Sequence, residues 1–351
     1  MLKKKILSNL YIGIDLCDKF TFYCILDKDC HVIKRGKIEN DRVSMAAFFA
    51  NYVNCKIVIE TSTHSLWIYH LLTEMGHQVS VANPGKIPLI YKATNKNDKN
   101  DAEKLARLLR LDPKLLSPIQ HVSMKAHATL AILKTRGHYV SIRTEIVNYI
   151  RTTVKTRGYR LSSCDAQGFH KRIREEIPDD ILSAVAPLLE TLEHILEKIK
   201  SIDEEIKMIC LNEYPIAEKL NKIYGVGYIT ILTFILTIED PKRFKKARDI
   251  GPYLGLTPKQ FQSGNIDHRG RISRAGNKHL RTLLVNCVSI ILNCRAKESD
   301  LRSFGLRLIE NNEKMKKKAK VAVARKLAVT MLALWKSGAD YDPLYKTKRA
   351  A

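Results

Sequence analysis

Residues 10–84 hold five short apolar runs: LYIGIDL (10–16), TFYCILD (21–27), HVIKRGKI (31–38), CKIVIE (55–60) and QVSVANP (78–84). The runs are too short for helices, are rich in β-branched and aromatic residues, and are bounded by turn residues, so they predict strands. The second and third turn back on each other at Asp27-Lys28-Asp29, which makes the first three a meander. SLWIYHLLTEMG (65–76) has helical spacing and separates the fourth run from the fifth. Strands interleaved with a helix confine this region to an α/β fold. Two acids fall at strand ends: Asp15 near the end of the first run and Glu60 closing the fourth.

The next patterned stretch, NKNDKNDAEKLARLL (95–109), brings two more carboxylates, Asp98 and Asp101, three positions apart. From Asp98 onward Ala102, Leu105, Ala106, Leu108 and Leu109 recur at helical spacing, which puts both acids on one face of a helix's first turn. Acids there are favoured by the helix dipole by about 0.3–1 kcal/mol, so the pair alone is consistent with capping as well as with half of a metal site. In a sheet of the RNase H type the first and fourth strands are neighbours. That order would bring Asp15, Glu60, Asp98 and Asp101 to one sheet edge. Four hard oxygen ligands suit one or two Mg²⁺ ions, which can stabilise the attacking and leaving oxygens of a phosphodiester.

After Asp112-Pro113 strand signals fade and helical patterning takes over, including RTEIVNYIRTTVKTRG. From Val185, the positions Leu188, Leu192, Ile195, Ile199, Ile202, Ile206 and Ile209 alternate spacings of three and four. This is an a/d seam, expected either in a coiled-coil hairpin or dimer helix or in an amphipathic helix packed on its own domain. LNKIYGVGYITILTFILT (220–237) carries G-V-G at the start of an apolar helix, a turn that can hold a phosphate or simply allow tight packing. Residues 247–288 read as a glycine-rich, arginine-rich loop between two helical stretches. The last stretch, EKMKKKAKVAVARKLAVTMLALWKSG, reads as a basic segment leading into a buried helix. The expected organisation is an α/β domain over 1–112, a helical linker and coiled coil over 113–213, and a mainly α domain over 214–351.

Sixty Lys and Arg against thirty-six Asp and Glu give a formal net charge of +24, with the basic residues distributed along the whole length. Such an excess suits a polyanionic partner, nucleic acid first. At 45% hydrophobic residues the chain can bury proper cores. No apolar run approaches the roughly 20 residues a membrane span requires, and MLKKKILSNLYIGID lacks the apolar centre of a signal peptide. A cytoplasmic protein, associated with the nucleoid when acting and having no membrane partner, is expected. The eight cysteines contain no C-x-x-C pair and are expected to be reduced thiols, mostly buried.

Ser263, in QSGN, is followed by His268, Arg269, Arg271 and Arg274, and then by Lys278 and Arg281 on the next helical stretch. A serine hydroxyl can attack phosphorus, and nearby guanidinium groups can stabilise the charge that develops. An isolated Ser-Gly is equally an ordinary turn. The basic residues are candidate phosphate contacts.

The order GID (13–15), VIE (58–60), NDKND (97–101), YLGLTPKQFQSG, GRISRAGNKHLRTLL and VARKLAV resembles the insertion-sequence transposases of the IS-one-ten class, the DEDD-type group related to the Piv DNA invertases. The resemblance runs over nearly the whole chain. It implies a RuvC-like (RNase H-like) α/β nuclease domain, a coiled-coil connection, and a C-terminal transposase domain that supplies a serine nucleophile. Position by position it makes Asp15, Glu60, Asp98 and Asp101 the catalytic, metal-holding tetrad and Ser263 the nucleophile; Ser273, in RISRAG, is the alternative because it too lies in a basic loop. It also implies RNA-guided cutting and rejoining of donor and target DNA through a phosphoserine intermediate, with a bridge-type noncoding RNA as partner and Mg²⁺ as cofactor. The seam, together with the need of strand exchange for at least two active sites, predicts a homo-oligomer, a dimer or a tetramer in the synaptic complex. Two stretches depart from the family pattern: Gln262 precedes the serine where a second serine is common, and Asn97 and Lys99 flank Asp98 where Thr and Arg are common. The rivals are a RuvC-type junction endonuclease using metal-activated water, and a non-catalytic nucleic-acid-binding scaffold.

Overall fold

All five expected strands form, and they share one sheet: β1 (Tyr11–Leu16), β2 (Phe20–Leu26), β3 (Val32–Glu39), β4 (Lys56–Glu60) and β5 (Gln78–Ala82). The computed structural model describes residues 7–87, 98–263, 266–310 and 315–350. Two compact units divide the chain, Met1–Met124 and Lys125–Ala351.

In the first unit the strand order is β3-β2-β1-β4-β5. The meander pairs antiparallel, whereas β1, β4 and β5 run parallel. The Asp27 side chain shapes the β2–β3 turn by accepting from the Asp29 and His31 amides at 2.8 and 2.9 Å. Helix α1 (Arg42–Phe49) starts where Asp41 accepts from the amides of Val43 and Ser44, and α2 (Ser65–Glu74) fills the β4–β5 crossover. Alternation along the strands divides the side chains between two layers. Ile12, Ile14, Ile57 and Ile59 pack with Met45, Phe49, Ile68 and Leu72 in the core that α1 and α2 cover. The opposite positions, including Val58, pack against α3 (Asp98–Leu111) through Leu105, Leu108 and Leu109. The parallel strands are therefore covered on both sides, which explains their near-continuous apolar sequences.

In the second unit the seam helix is α5 (Asp179–Glu213). Its inner positions Val185, Leu192, Ile195 and Ile199 cluster with Ile146, Ile150 and Val154 of α4 (Met124–Thr156) and with Phe169, Ile173 and Ile177 between the two helices. Arg136 of α4 pairs with Asp203 of α5 through two hydrogen bonds. The seam is thus occupied within one chain, and its burial says nothing about a second copy.

Beyond α5, helix α6 (Tyr228–Ile238) is buried from Thr230 through Ile238. Gly225, with φ +81°, serves packing: a Cβ there would lie 3.2 Å from both the Cys287 carbonyl and the Ile290 side chain. The expected loop at 247–288 is in part a β-ribbon, β6 (Pro258–Ser263) against β7 (Ile266–Ile272), followed by α7 (Lys278–Ile291). Every residue of β6 is exposed, so the ribbon has no apolar alternation for a sequence reading to detect. The remaining signal was Gly264-Asn265, a dipeptide typical of two-residue hairpin connections. Helices α8 (Asp300–Ile309) and α9 (Lys316–Ser337) follow, and α9 buries Val323, Leu327, Met331 and Leu332 behind its basic first turn, as its sequence suggests.

Four of the eight cysteines, Cys24, Cys55, Cys210 and Cys287, are buried, and none is in a disulfide. Among the described residues no helix is long and apolar enough to cross a membrane.

Candidate functional site

The first cluster lies at the carboxyl end of β1 and β4. Ile14 pairs with Ile59 in the parallel ladder, so Asp15 and Glu60 are the next residues along adjacent strands. Ile12, Ile14, Ile57 and Ile59 all point into the α1/α2 core, which sends Gly13, Asp15, Val58 and Glu60 to the α3 side. Both acids are half-buried. Helix α3 runs opposite to β1: its last turns reach the β2–β3 turn, where Arg110 donates to the Lys28 carbonyl at 2.7 Å. Its first turn therefore lies at the Asp15 end. Asp98 begins α3, but its side chain lies outside the described residues. Asp101 is buried at 8% exposure, and its carboxylate accepts from Lys104 Nζ at 2.7 Å.

Two polar neighbours escaped the sequence reading. Lys104 is the i+3 partner of Asp101, a spacing readable as an ion pair on one helix face. His64, four residues after Glu60, accepts from Trp67 Nε1 at 3.3 Å through Nδ1, while its Nε2 lies 3.5 Å from Asp18 Oδ1. No local pattern marks it; only the sheet order puts its loop next to the β1–β2 turn.

Carboxylates alone make up the donor set, and their chemistry fits a hard divalent cation. Among the described residues no three His, Cys, Asp or Glu side chains converge closely enough to hold an ion. Asp15, Glu60 and Asp101 are thus brought to one side of one sheet edge without being drawn into a cage.

The second cluster surrounds the ribbon. Ser263 is the last residue of β6, pairs with Ile266, and is exposed. Arg269 and Arg271 are exposed on β7, with Arg269 Nε 3.9 Å from Asp267 Oδ2. Ser273 is half-buried, and its Oγ accepts from the Ala275 amide at 3.5 Å. The ribbon's two ends are held together at its base. A Cβ on Gly276 would meet the Tyr253 carbonyl at 2.2 Å, and one on Gly255 would meet Ala275 N and O at 2.3 Å. Both glycines have positive φ, so no other residue fits either place without strain.

Arg281, expected to face phosphates, turns to this base: its Nη1 donates to the carbonyls of Leu254 at 3.1 Å, Ala275 at 2.5 Å and Gly276 at 3.1 Å. Burial, followed by the charge of Arg274, lowers its pKa from the ordinary arginine value. Asn277 caps α7 by accepting from the Leu280 amide, which leaves Lys278 exposed on the first turn. Arg274, Lys278 and Arg281 line a shallow groove of about 540 Å³ with Thr282 and Asn286.

Residues 12–157 match a family model of DEDD transposases, described as "Transposase", so the class is set by the part that spans Asp15 to Asp101. Residues 217–304, which include Ser263, match the model described as "Transposase IS116/IS110/IS902 family". The chain belongs to the IS110/IS116 family of DEDD transposases. It is 28% identical to the transposase for insertion sequence element IS1111A of Coxiella burnetii, over 92% of this chain and 88% of that one. It is 26% identical to the transposase for insertion sequence element IS1328 of Yersinia enterocolitica, over 80% and 83% respectively. The pilin gene-inverting protein of Moraxella lacunata is also 26% identical, over 96% of this chain and 98% of that one.

Proposed function

We propose that this transposase cuts and rejoins DNA strands, guided by a bridge-type RNA, through a covalent intermediate on Ser263. The observation that carries the reading is the pairing of β1 with β4, which sets Asp15 and Glu60 side by side on the face that α3 covers. The strand order β3-β2-β1-β4-β5 supports a RuvC-like assignment of the first unit. Asp15, Glu60, Asp98 and Asp101 would hold Mg²⁺, which when bound supplies positive charge at the phosphate under attack.

The chain's own residues do the rest. Ser263, exposed at the ribbon tip, is accessible to a phosphate without any rearrangement of a core. Arg269 and Arg271 on the same ribbon, with Arg274 and Lys278 at its base, offer exposed basic groups to a phosphate backbone. Attack by the serine hydroxyl replaces one phosphodiester with another, so the bond energy is retained for rejoining and no nucleotide is consumed. The chain correspondingly has no G-x-x-x-x-G-K-[ST] loop. Sequence choice belongs to base pairing with the RNA, and the protein reads backbone and shape. Exchange of two strands needs at least two active sites, which supports a dimer or tetramer as the working form.

The test is direct. Wild-type protein is incubated with RNA from the element's noncoding flank and a DNA substrate that traps the cut state, then denatured, and the adduct is mapped by peptide mass analysis. DNA on Ser263, with Ser263→Ala retaining RNA binding but forming no adduct, is expected. Cut ends carrying only free phosphate and hydroxyl groups would establish water-driven cleavage instead.

A further inference from the structure

The ribbon's register brings a histidine to the serine's face. Across the antiparallel ladder Phe261 pairs with His268 and Ser263 with Ile266. Ladder partners, and residues two apart on a strand, share a face. Ser263, Phe261 and His268 therefore occupy one face, while Gln260, Gln262, Asp267 and Arg269 take the other. Ser263 and His268 are diagonal neighbours, about 7–8 Å apart in such a ladder, a separation long side chains can bridge. Phe261 does not stand between them, because its ring reaches over Gly270: a Cβ there would lie 3.5 Å from the ring.

The two faces differ in what their polar groups do. Asp267 accepts from Gln260 at 3.2 Å and lies near Arg269. His268 is exposed and, among the described residues, makes no hydrogen bond or ion pair. Its imidazole thus has no structural task in the ribbon. The charged groups around it are Lys259 near Gly270 on the same face, and Asp267, Arg269 and Arg271 on its own strand.

We infer that His268 is a catalytic residue, the base that takes the proton of Ser263, an inference that rests on the serine reading above. A serine hydroxyl is a weak nucleophile until a neighbouring base accepts its proton. As the Oγ–P bond forms, the Oγ proton passes to a nitrogen of the neutral imidazole. The bond from phosphorus to the leaving deoxyribose oxygen breaks, and that oxygen takes a proton from solvent. In rejoining, an incoming deoxyribose hydroxyl attacks the phosphoserine and gives its proton to solvent, the Oγ–P bond breaks, and the imidazolium returns its proton to Oγ.

The experiment follows single-turnover formation of the Ser263 adduct as a function of pH, with the full-length protein, RNA transcribed from the element's noncoding flank, and a DNA duplex spanning the element's end. His268→Ala is expected to slow adduct formation by about 10²-fold or more, as loss of a general base does, with DNA binding unchanged. The dependence of the rate on pH should flatten with it. His268→Gln, which keeps polarity without basicity, should be no better. Wild-type rates in His268→Ala, a slowed rate with the wild-type pH profile, or a slowing matched by weaker DNA binding would each overturn the inference. Absence of any adduct in the wild type would instead remove the serine reading itself.

Discussion

Gly13 and Ala102 touch so closely that a Cβ on the glycine would lie 2.0 Å from the Ala102 carbonyl oxygen. The same atom would lie 2.5 Å from the Ala106 amide nitrogen, so α3 rests backbone to backbone on β1. That approach sets the depth at which Asp101 sits beside the strand bearing Asp15. Neither backbone can yield locally, since β1 is hydrogen-bonded on both sides and α3 is a continuous helix. Gly13→Ala should therefore destabilise the first unit by about 1–3 kcal/mol, the usual cost of overpacking, and impair cleavage by lifting the helix. Urea unfolding and a strand-cleavage assay measure the two effects, and a variant with wild-type stability would refute the contact.

Asp101 is buried against Lys104 rather than exposed as a capping residue would be. Asp101→Asn and Asp98→Asn should abolish strand cleavage while leaving RNA binding intact. Gel-shift and cleavage assays on one preparation separate the two properties, and full recombination by both variants would end the metal-site proposal.

The basic residues of the ribbon and its base should divide into two groups. Alanine at Arg269, Arg271, Arg274 or Lys278 should each lower the salt slope of nucleic-acid binding by about one unit, as loss of one phosphate contact does. Arg281→Ala should leave the slope nearly unchanged and cost about 1–3 kcal/mol of stability, because its Nη1 serves three backbone carbonyls. Binding titrations at several salt concentrations, run beside thermal unfolding, distinguish the groups. A full unit of slope lost in Arg281→Ala at unchanged stability would contradict its place at the ribbon base.

His77 makes the stability of the first unit sensitive to acid. It is 4% exposed, its Nδ1 accepts from the Cys55 amide at 3.3 Å, and its buried Nε2 has no partner among the described residues. Burial lowers its pKa from the ordinary 6.5, so the folded state holds the neutral ring while the unfolded chain takes up a proton first. The stability it contributes is complete above about pH 6.5 and is lost as pH falls from there toward the lower folded value. His77→Phe should cost about 1 kcal/mol at pH 7.5 through the lost hydrogen bond, yet flatten the decline between pH 7 and 5. Urea unfolding at pH 5, 6 and 7.5 tests this, and an undiminished acid slope would assign the effect to another group.

What the sequence alone determined is local. Periodicity marks what must be buried, so LYIGIDL, CKIVIE and the residues after Asp98 announced two strands and a helix, with Asp15, Glu60 and Asp101 at their ends. The motifs from GID to VARKLAV also carried the family, because residue identity in order survives where shape cannot be read. Only the tertiary structure decided what lies beside what. The seam of α5 could have faced a second copy, and it faces α4 because an apolar stripe specifies burial and not the partner that buries it. The ribbon escaped notice since neither of its faces is covered, so solvent imposes no alternation on it. Arg281 looked like its basic neighbours until the fold put three carbonyls within its reach. Those carbonyls come from residues 254, 275 and 276, on either side of the ribbon, and only chain closure through Gly255 and Gly276 brings them together.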